Sequence, residues 1–137
     1  MREFELKYPS GLYIHRGFKE IEIEQFLDML EITVRDLGTG WVWYRLPTFV
    51  DGGVGIGTEL GFNCGNLQEI TLFHDDPAIY GADWNDWSET KEKLRAENTL
   101  CWLQRRGFDP GQYHWGEVWS YYDTKSRFGS GGVRYAP

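Results

Sequence analysis

The chain has 137 residues, of which 41% are hydrophobic, 26% charged and 17% aromatic. This composition excludes a disordered chain, and the length predicts a single domain over residues 1–137. Twenty-one acidic and fourteen basic residues give a formal net charge of −7, which disfavours nucleic acid and anionic membranes as partners and favours a basic protein.

The first part of the chain combines weak strand patterns with one short helix. Two alternating runs, residues 4–7 and 12–15, predict short strands. Further on, apolar side chains recur at helical spacing, with Phe26, Met29 and Leu30 on one face. A short N-terminal helix is therefore predicted over about residues 24–30.

The middle of the chain predicts antiparallel strands joined by tight loops. Strand-favouring runs occupy residues 32–37, 41–46, 58–63 and 67–74. Because the loops between them are short, consecutive antiparallel strands are expected. The glycines of residues 51–57, DGGVGIG, superficially resemble a phosphate loop, but a strand follows them and no Lys-Ser or Lys-Thr does. A flexible hairpin loop is the favoured interpretation.

A long helix over about residues 87–106 is the strongest local prediction. Asp86 and Glu89 have the spacing of a capping box, and Ser88 is a competing cap. At the other end, Gly107 suits a left-handed cap, and the proline that follows prevents continuation.

The C-terminal segment predicts two further strands. Residues 115–122 form an aromatic strand pattern with Trp115 and Trp119 on one face, and residues 126–132 a glycine-rich turn before a last strand. Together the elements predict an α+β fold, in which the long helix and the short N-terminal helix pack on a mostly antiparallel sheet.

Targeting and redox features predict a cytoplasmic protein. Cys64 and Cys101 have no C-x-x-C spacing, so two free thiols in a reducing compartment are expected. The first ten residues lack the apolar segment of a secretory signal, and no uncharged apolar run is long enough to cross a bilayer. The oligomeric state stays open.

Catalytic motifs are scarce. His74, Asp75 and Asp76 form the one cluster in which an imidazole and carboxylates could bind a divalent metal. The simpler interpretation is a strand end followed by an Asp-Asp-Pro turn, because neighbours in sequence rarely converge on one ion. Cys64 has neither a helix start nor an adjacent cation that would activate it as a nucleophile, and Ser88, although it begins an S-x-x-K motif, is explained as a helix cap. No metal and no cofactor is expected.

Tryptophan pairs are harder to assign to the core. Trp41 and Trp43 project to the same side of one predicted strand, and Trp84 and Trp87 flank the start of the long helix. Core positions are the simpler interpretation. An exposed pair would instead indicate a binding surface for a sugar, a peptide or a protein.

The succession W-x-D-W-S-E-x-x-E, then W-L, then W-G-x-V-x-S-x-Y-D, resembles a family of small bacterial proteins of unknown function. Members carry this ending after an L-x-F-x-x-G-x-L-x-x-I-x-L hairpin. The residues that carry the resemblance are Trp84, Asp86, Trp87, Ser88, Glu89, Glu92, Trp102, Leu103, Trp115, Gly116, Val118, Ser120, Tyr122 and Asp123, preceded by Leu60, Phe62, Gly65, Leu67, Ile70 and Leu72. The resemblance covers residues 12–135, implies a single domain and implies no activity.

Three functional hypotheses follow. The leading one is a non-enzymatic cytoplasmic binding protein, in its most concrete form an immunity-type protein that neutralises a basic toxin. Its predicted binding residues are Asp75, Asp76, Asp83, Trp84 and Asp86. The alternative is a small-molecule or carbohydrate-binding domain that uses exposed tryptophans. The third is a metal-dependent enzyme at His74, Asp75 and Asp76.

Overall fold

A computed structural model of the chain describes residues 2–137. The strands are β1 (Leu6–Lys7), β2 (Tyr13–Ile14), β3 (Thr33–Asp36), β4 (Trp41–Asp51), β5 (Val54–Asn63), β6 (Asn66–His74), β7 (Gly111–Tyr113), β8 (Gly116–Asp123) and β9 (Phe128–Tyr135). The helices are α1 (Glu20–Ile23), α2 (Pro77–Tyr80) and α3 (Glu89–Arg105), with 3-10 turns at Glu24–Phe26 and Trp84–Asp86. The predicted α+β class, with a mostly antiparallel sheet and one long helix, is confirmed.

Seven of the strands form one antiparallel sheet in the order β3-β4-β5-β6-β9-β8-β7. Tight turns join β3 to β6 as successive hairpins, as the short loops in the sequence predict. The chain then leaves the sheet through α2 and α3, and returns so that β9 pairs with β6. Strands β1 and β2 form a separate two-stranded ribbon.

One face of the sheet, the covered face, carries the hydrophobic core. Helix α3 packs on it over β6, β8 and β9, and the N-terminal segment contributes Phe4, Leu6 and Leu12 to the same core. Alternation in β5 places Ile56 and Leu60 on this face, and both are fully buried. Each such aliphatic side chain contributes about 1.5–3 kcal/mol by leaving water.

The opposite face, the open face, carries rings and ion pairs. The Trp43 ring lies over Gly61, so closely that a Cβ on this glycine would be 2.7 Å from the ring. Arg134 pairs with Glu69 at 3.2 Å and with Glu117 on the two neighbouring strands. Helix α3 does not cover this face in residues 2–137, and the side chains on it range from buried Phe73 to half-buried Trp43 and Glu69.

The short N-terminal helix predicted over about residues 24–30 does not form as a continuous helix. The α-helical residues are Glu20–Ile23, and one 3-10 turn follows. Met29, predicted on the packed face, is 66% exposed. A helix this short is held by tertiary packing rather than by its own hydrogen bonds, and only Ile23 of α1 is buried.

Both glycine-rich segments predicted as loops are largely strands. Strand β5 begins at Val54 and β9 begins at Phe128, so the turns shrink to residues 52–53 and 124–127.

The prediction that Trp115 and Trp119 share a face is wrong. Trp115 is fully buried in the core, whereas the Trp119 ring covers Gly132 on the open face. Trp115 precedes β8, so strand alternation does not extend to it.

None of the helices in residues 2–137 combines the length and the apolar character that crossing a bilayer requires.

Candidate functional site

The sheet splits at one end, between β6 and β9. Pairing between these strands ends at Leu72 and Gly131, although β6 continues to His74 and β9 begins at Phe128. Arg95 from α3 extends into the gap, where its Nη1 donates to the carbonyl oxygen of His74 at 3.0 Å. The guanidinium therefore satisfies a main-chain acceptor beyond the end of the β6–β9 ladder.

A buried ion pair forms the floor of this gap. Arg95 Nε lies 3.0 Å from Glu92 Oε1, and Arg95 Nη2 lies 3.2 Å from Glu92 Oε2. Glu92 also accepts from the main-chain N–H of Gly129 at 3.1 Å. The guanidinium carbon lies 4.1 Å from the ring centre of Tyr80 and 4.9 Å from that of Phe128. The charge of Arg95 is thus neutralised by the protein itself.

Residues 75–87, between β6 and the N-cap residue of α3, form one wall beside the gap. Four aspartates of this wall accept hydrogen bonds that fix its shape: Asp75 from the Thr48 hydroxyl, Asp76 from the N–H of Ala78 at 3.0 Å, Asp83 from the N–H of Asn85 at 2.8 Å, and Asp86 from the N–H of Ala82 at 3.1 Å. A carboxylate that accepts one hydrogen bond keeps further lone pairs for an incoming donor. These aspartates therefore order the wall and still offer acceptors.

Two tryptophans of the wall have different environments. Trp84 is 75% exposed, the most exposed of the large hydrophobic side chains in residues 2–137. Trp87 is half-buried, and its Nε1 donates to the carbonyl oxygen of Arg127 at 2.8 Å. Trp87 therefore attaches the wall to the β8–β9 turn, while Trp84 faces solvent.

The split in the sheet and the wall border an open cleft of about 410 Å³, which we name the Trp84 cleft. Arginines, aromatic rings and acidic residues all contribute to its surface. The lining residues are Arg45, Phe73, Asp75, Tyr80, Gly81, Ala82, Asp83, Trp84, Trp87, Glu92, Arg95, Arg127 and Phe128. Its size is within the range of small-molecule sites.

The structure brings most of the predicted binding residues to this cleft. Asp75, Asp83 and Trp84 line it. Asp76 lies beside it as the N-cap of α2. Asp86 is exposed and belongs to the wall but does not line the cleft, and Gly81 leaves room for it, since a Cβ on that glycine would lie 2.2 Å from the Asp86 Cβ.

The spacing of Asp86 and Glu89 predicts that Asp86 caps α3. In the structure Asp86 does not have this role. Ser88 has that role, because its hydroxyl accepts from the N–H of Lys91 at 3.1 Å. Asp86 ends a 3-10 turn, and the extended residue Trp87 separates it from α3. The competing cap in the sequence is therefore the real one.

His74 faces the interior rather than the aspartates that follow it. It is 9% exposed, and its Nδ1 lies 2.7 Å from the Tyr80 hydroxyl. This hydroxyl also accepts from Asn98 at 3.0 Å, and its proton is available to Nδ1 when the imidazole is neutral with its own proton on Nε2. Burial lowers the pKa of His74, although the negative charge of Asp76 opposes the effect.

His74, Asp75 and Asp76 therefore have three different partners and do not converge on one point. Within the described part of the chain, no three His, Cys, Asp or Glu side chains are arranged to hold a metal ion.

The arginines of the cleft are the functional residues that the sequence patterns miss. Arg45 and Arg127 belong to different strand regions, and no spacing in the sequence connects them with residues 75–87. A signal existed only for Arg95, which follows Glu92 at the i,i+3 spacing of a helical ion pair.

A second groove lies on the open face beside Trp43. The rings of Trp41 and Trp43 are stacked, with centroids 5.9 Å apart and planes 12° apart. The groove has a volume of about 550 Å³ and is lined by Glu31, Thr33, Arg35, Trp43, Arg45 and Glu59. We name it the Trp43 groove.

In comparisons with known proteins, no family model matches the chain, and no curated protein and no solved structure is significantly similar to it. The contacts of the Trp84 cleft and the Trp43 groove, rather than a relative of known activity, are therefore the basis for a functional proposal.

Proposed function

We propose that this protein is a non-enzymatic binding protein that takes a basic protein partner on the acidic loop of residues 75–86. The observation that carries the proposal is the 75% exposure of Trp84 beside four carboxylates. A large ring left in water is a typical anchor of a protein interface, and tryptophan is enriched among the residues that dominate binding energy. The concrete form of the proposal is an immunity-type cytoplasmic protein that neutralises a basic toxin.

Charge supports the same partner class. A net charge of −7 steers a basic protein towards this molecule over a distance of about one Debye length. Local carboxylates then select lysine and arginine side chains of the partner. Because main-chain hydrogen bonds already hold Asp76 and Asp83 in place, less conformational entropy is lost on binding.

The test exchanges Asp75, Asp76, Asp83 and Asp86 for asparagine. Asparagine caps helices and turns about as well as aspartate, so the wall keeps its shape while four charges are removed. The variant and the wild-type protein are used as bait in a lysate of the native host, at low and at moderate salt. We expect the wild-type protein to retain a basic protein in near-equal amount, with less retained as the salt concentration increases. The variant should fail to retain this protein at both salt concentrations.

The matched control removes four exposed carboxylates elsewhere, by exchange of Glu24, Asp28, Glu31 and Glu97 for their amides. This control has the same net charge as the first variant and should retain the partner. Equal losses in both variants would mean that net charge alone matters, and unchanged retention in the first variant would place the interface elsewhere. Trp84→Ala, which leaves every charge in place, should weaken binding at least tenfold.

The Trp43 groove supports a second candidate, a small-molecule or carbohydrate-binding domain. A flat ring beside polar side chains such as Glu31 and Arg35 suits a sugar. The ring stacks on the C–H groups of the sugar, and the polar side chains form hydrogen bonds with its hydroxyls. A sugar or small-molecule library should then change tryptophan fluorescence, and Trp43→Ala should abolish the change. A library that leaves the fluorescence unchanged would argue against this candidate.

A further inference from the structure

Arg127 has a backbone conformation that suits glycine. Its φ is +58°, in the left-handed region where the Cβ of an L-residue is crowded. It ends the four-residue turn between β8 and β9, a place in hairpins where glycine is preferred. An arginine is therefore less stable than a glycine at this position. Its side chain, rather than its backbone conformation, is the reason to expect a function here.

The strain cannot relax, because hydrogen bonds hold Arg127 on both sides. Its N–H donates to the carbonyl oxygen of Asp123 at 2.8 Å, and its own carbonyl oxygen accepts from Trp87 Nε1 at 2.8 Å. These contacts use main-chain atoms of Arg127 only. The side chain is left to line the Trp84 cleft, with its guanidinium carbon 5.7 Å from the ring centre of Trp87.

Arg127 is the cleft arginine whose charge the protein does not compensate. Glu92 holds Arg95 through two hydrogen bonds, and Arg45 pairs with Glu59 at 3.6 Å. Across residues 2–137, no carboxylate forms an ion pair with Arg127. The cleft lining holds three arginines and three acidic residues, and Arg127 is the exposed arginine among them that has no carboxylate partner in residues 2–137.

We infer that the Trp84 cleft binds a small organic anion, whose carboxylate or phosphate pairs with Arg127 and whose flat ring stacks on Trp84. A guanidinium presents parallel N–H donors that match both carboxylate and phosphate oxygens. The exposed face of Trp84 supplies the stacking surface, and about 410 Å³ accommodates a ring with its substituent. Asp75 and Asp83 also line the cleft, and their repulsion directs the anion to the Arg127 side.

This inference goes beyond the proposed function. Both use the ring of Trp84, but the charged groups that they use differ. A basic protein would use the aspartates of residues 75–86, whereas a small anion would use Arg127. A variant that loses binding of the basic protein but keeps binding of the anion, or the reverse, distinguishes the two proposals.

The test titrates protein labelled with 15N-tryptophan with four probes and follows the indole N–H signals of Trp84 and Trp87 by NMR. Benzoate and phenyl phosphate carry a ring with an anionic group, benzamide is the neutral isostere of benzoate, and inorganic phosphate has no ring. We expect benzoate or phenyl phosphate to shift both indole signals, and benzamide and inorganic phosphate to bind at least tenfold more weakly. The stronger of the two anions distinguishes a carboxylate ligand from a phosphate ligand.

Arg127→Gly removes the cation and keeps the turn, because glycine adopts the left-handed conformation without strain. It should bind the better anion at least tenfold more weakly and melt at the same temperature as wild type or higher. Lys125→Ala removes a cation from the same turn, outside the cleft lining, and should bind as wild type does. Equal binding by Arg127→Gly and wild type, equal binding of benzamide and benzoate, or a lower melting temperature for Arg127→Gly would overturn the inference.

Discussion

Strands β5 and β9 are both rich in glycine, but their glycines make room for different neighbours. In β9, Gly129 lies under α3, and a Cβ on it would be 1.7 Å from the carbonyl oxygen of Glu92. In β5, Gly57 lies under an aromatic ring of the open face, and a Cβ on it would be 2.1 Å from the Phe73 ring. A helix backbone cannot move without α3, whereas a ring can rotate. The contact in β9 is therefore rigid and the contact in β5 adjustable.

The largest effect is expected for Gly129→Ala. Alanine in a strand interior is normally more stable than glycine by about 0.5–1 kcal/mol, but here the methyl group would displace the backbone of α3. We expect a loss of more than about 4 kcal/mol in the free energy of unfolding, measured by urea denaturation. Ser130→Ala, one residue further on the open face, should change stability by less than about 0.5 kcal/mol. Similar values for the two variants would show that α3 is not tightly packed on β9.

Glu92→Ala tests whether hydrogen bonding supplements this packing. The change leaves Arg95, whose side chain is 12% exposed, without its carboxylate, and the N–H of Gly129 without its acceptor. Breaking a buried ion pair from one side costs about 3–5 kcal/mol, and we expect about 3 kcal/mol because the cleft admits water to Arg95. Lys93→Ala, which removes an exposed i,i+4 pair with Glu89, is the matched control and should cost less than about 0.5 kcal/mol. Equal costs would mean that Arg95 is solvated without Glu92.

The same comparison explains which parts of the fold the sequence predicts. Helix α3 is predicted closely because its signals are local: cap residues at its start, where Ser88 competes with Asp86, and Gly107 at its end. The starts of β5 and β9 are missed because a glycine in a strand and a glycine in a turn have the same local pattern. What distinguishes them is a neighbour far away in sequence, α3 above Gly129 and Phe73 above Gly57.

The residues of the candidate site also differ in whether the sequence predicts them, according to how close they are in the chain. Asp75, Asp83 and Trp84 are predicted together because they are close in sequence, and the wall they form keeps them together. Arg127 lies more than forty residues from Trp84, and it enters the cleft only because β9 returns beside β6. A positive φ at a residue other than glycine is a property of the folded backbone and leaves no mark in the sequence.

Gly57→Ala tests the adjustable side of the comparison. The methyl group would collide with the Phe73 ring, which can rotate towards the Trp84 cleft that it lines. We expect a loss of about 1–2 kcal/mol in unfolding free energy, together with a change in the tryptophan fluorescence of the cleft. The double variant Gly57→Ala, Phe73→Leu should recover part of the stability, since the smaller side chain leaves space. A loss as large as that of Gly129→Ala, with no recovery, would show that the open face is as rigid as the covered face.

The smallest effect concerns His74, which lies where the two regions meet. It pairs with Ile56 of β5, and its N–H donates to the Thr99 hydroxyl of α3 at 2.9 Å. Burial lowers the pKa of His74 in the folded protein below the value of about 6.5 for the unfolded chain. Between these two pKa values the unfolded state binds more protons than the folded state, so stability is present above pH 6.5 and decreases as the pH falls below it.

His74→Gln removes this titration and retains a side chain that can accept from the Tyr80 hydroxyl. The difference in unfolding free energy between wild type and His74→Gln, measured from pH 7.5 to pH 5, should therefore shrink as the pH falls. A difference that stays constant from pH 7.5 to pH 5 would show that His74 is protonated equally well in the folded and the unfolded state. A difference that grows on acidification would show the opposite sign, a histidine whose charged form the fold stabilises. Either result would contradict burial as the dominant effect on the pKa of His74.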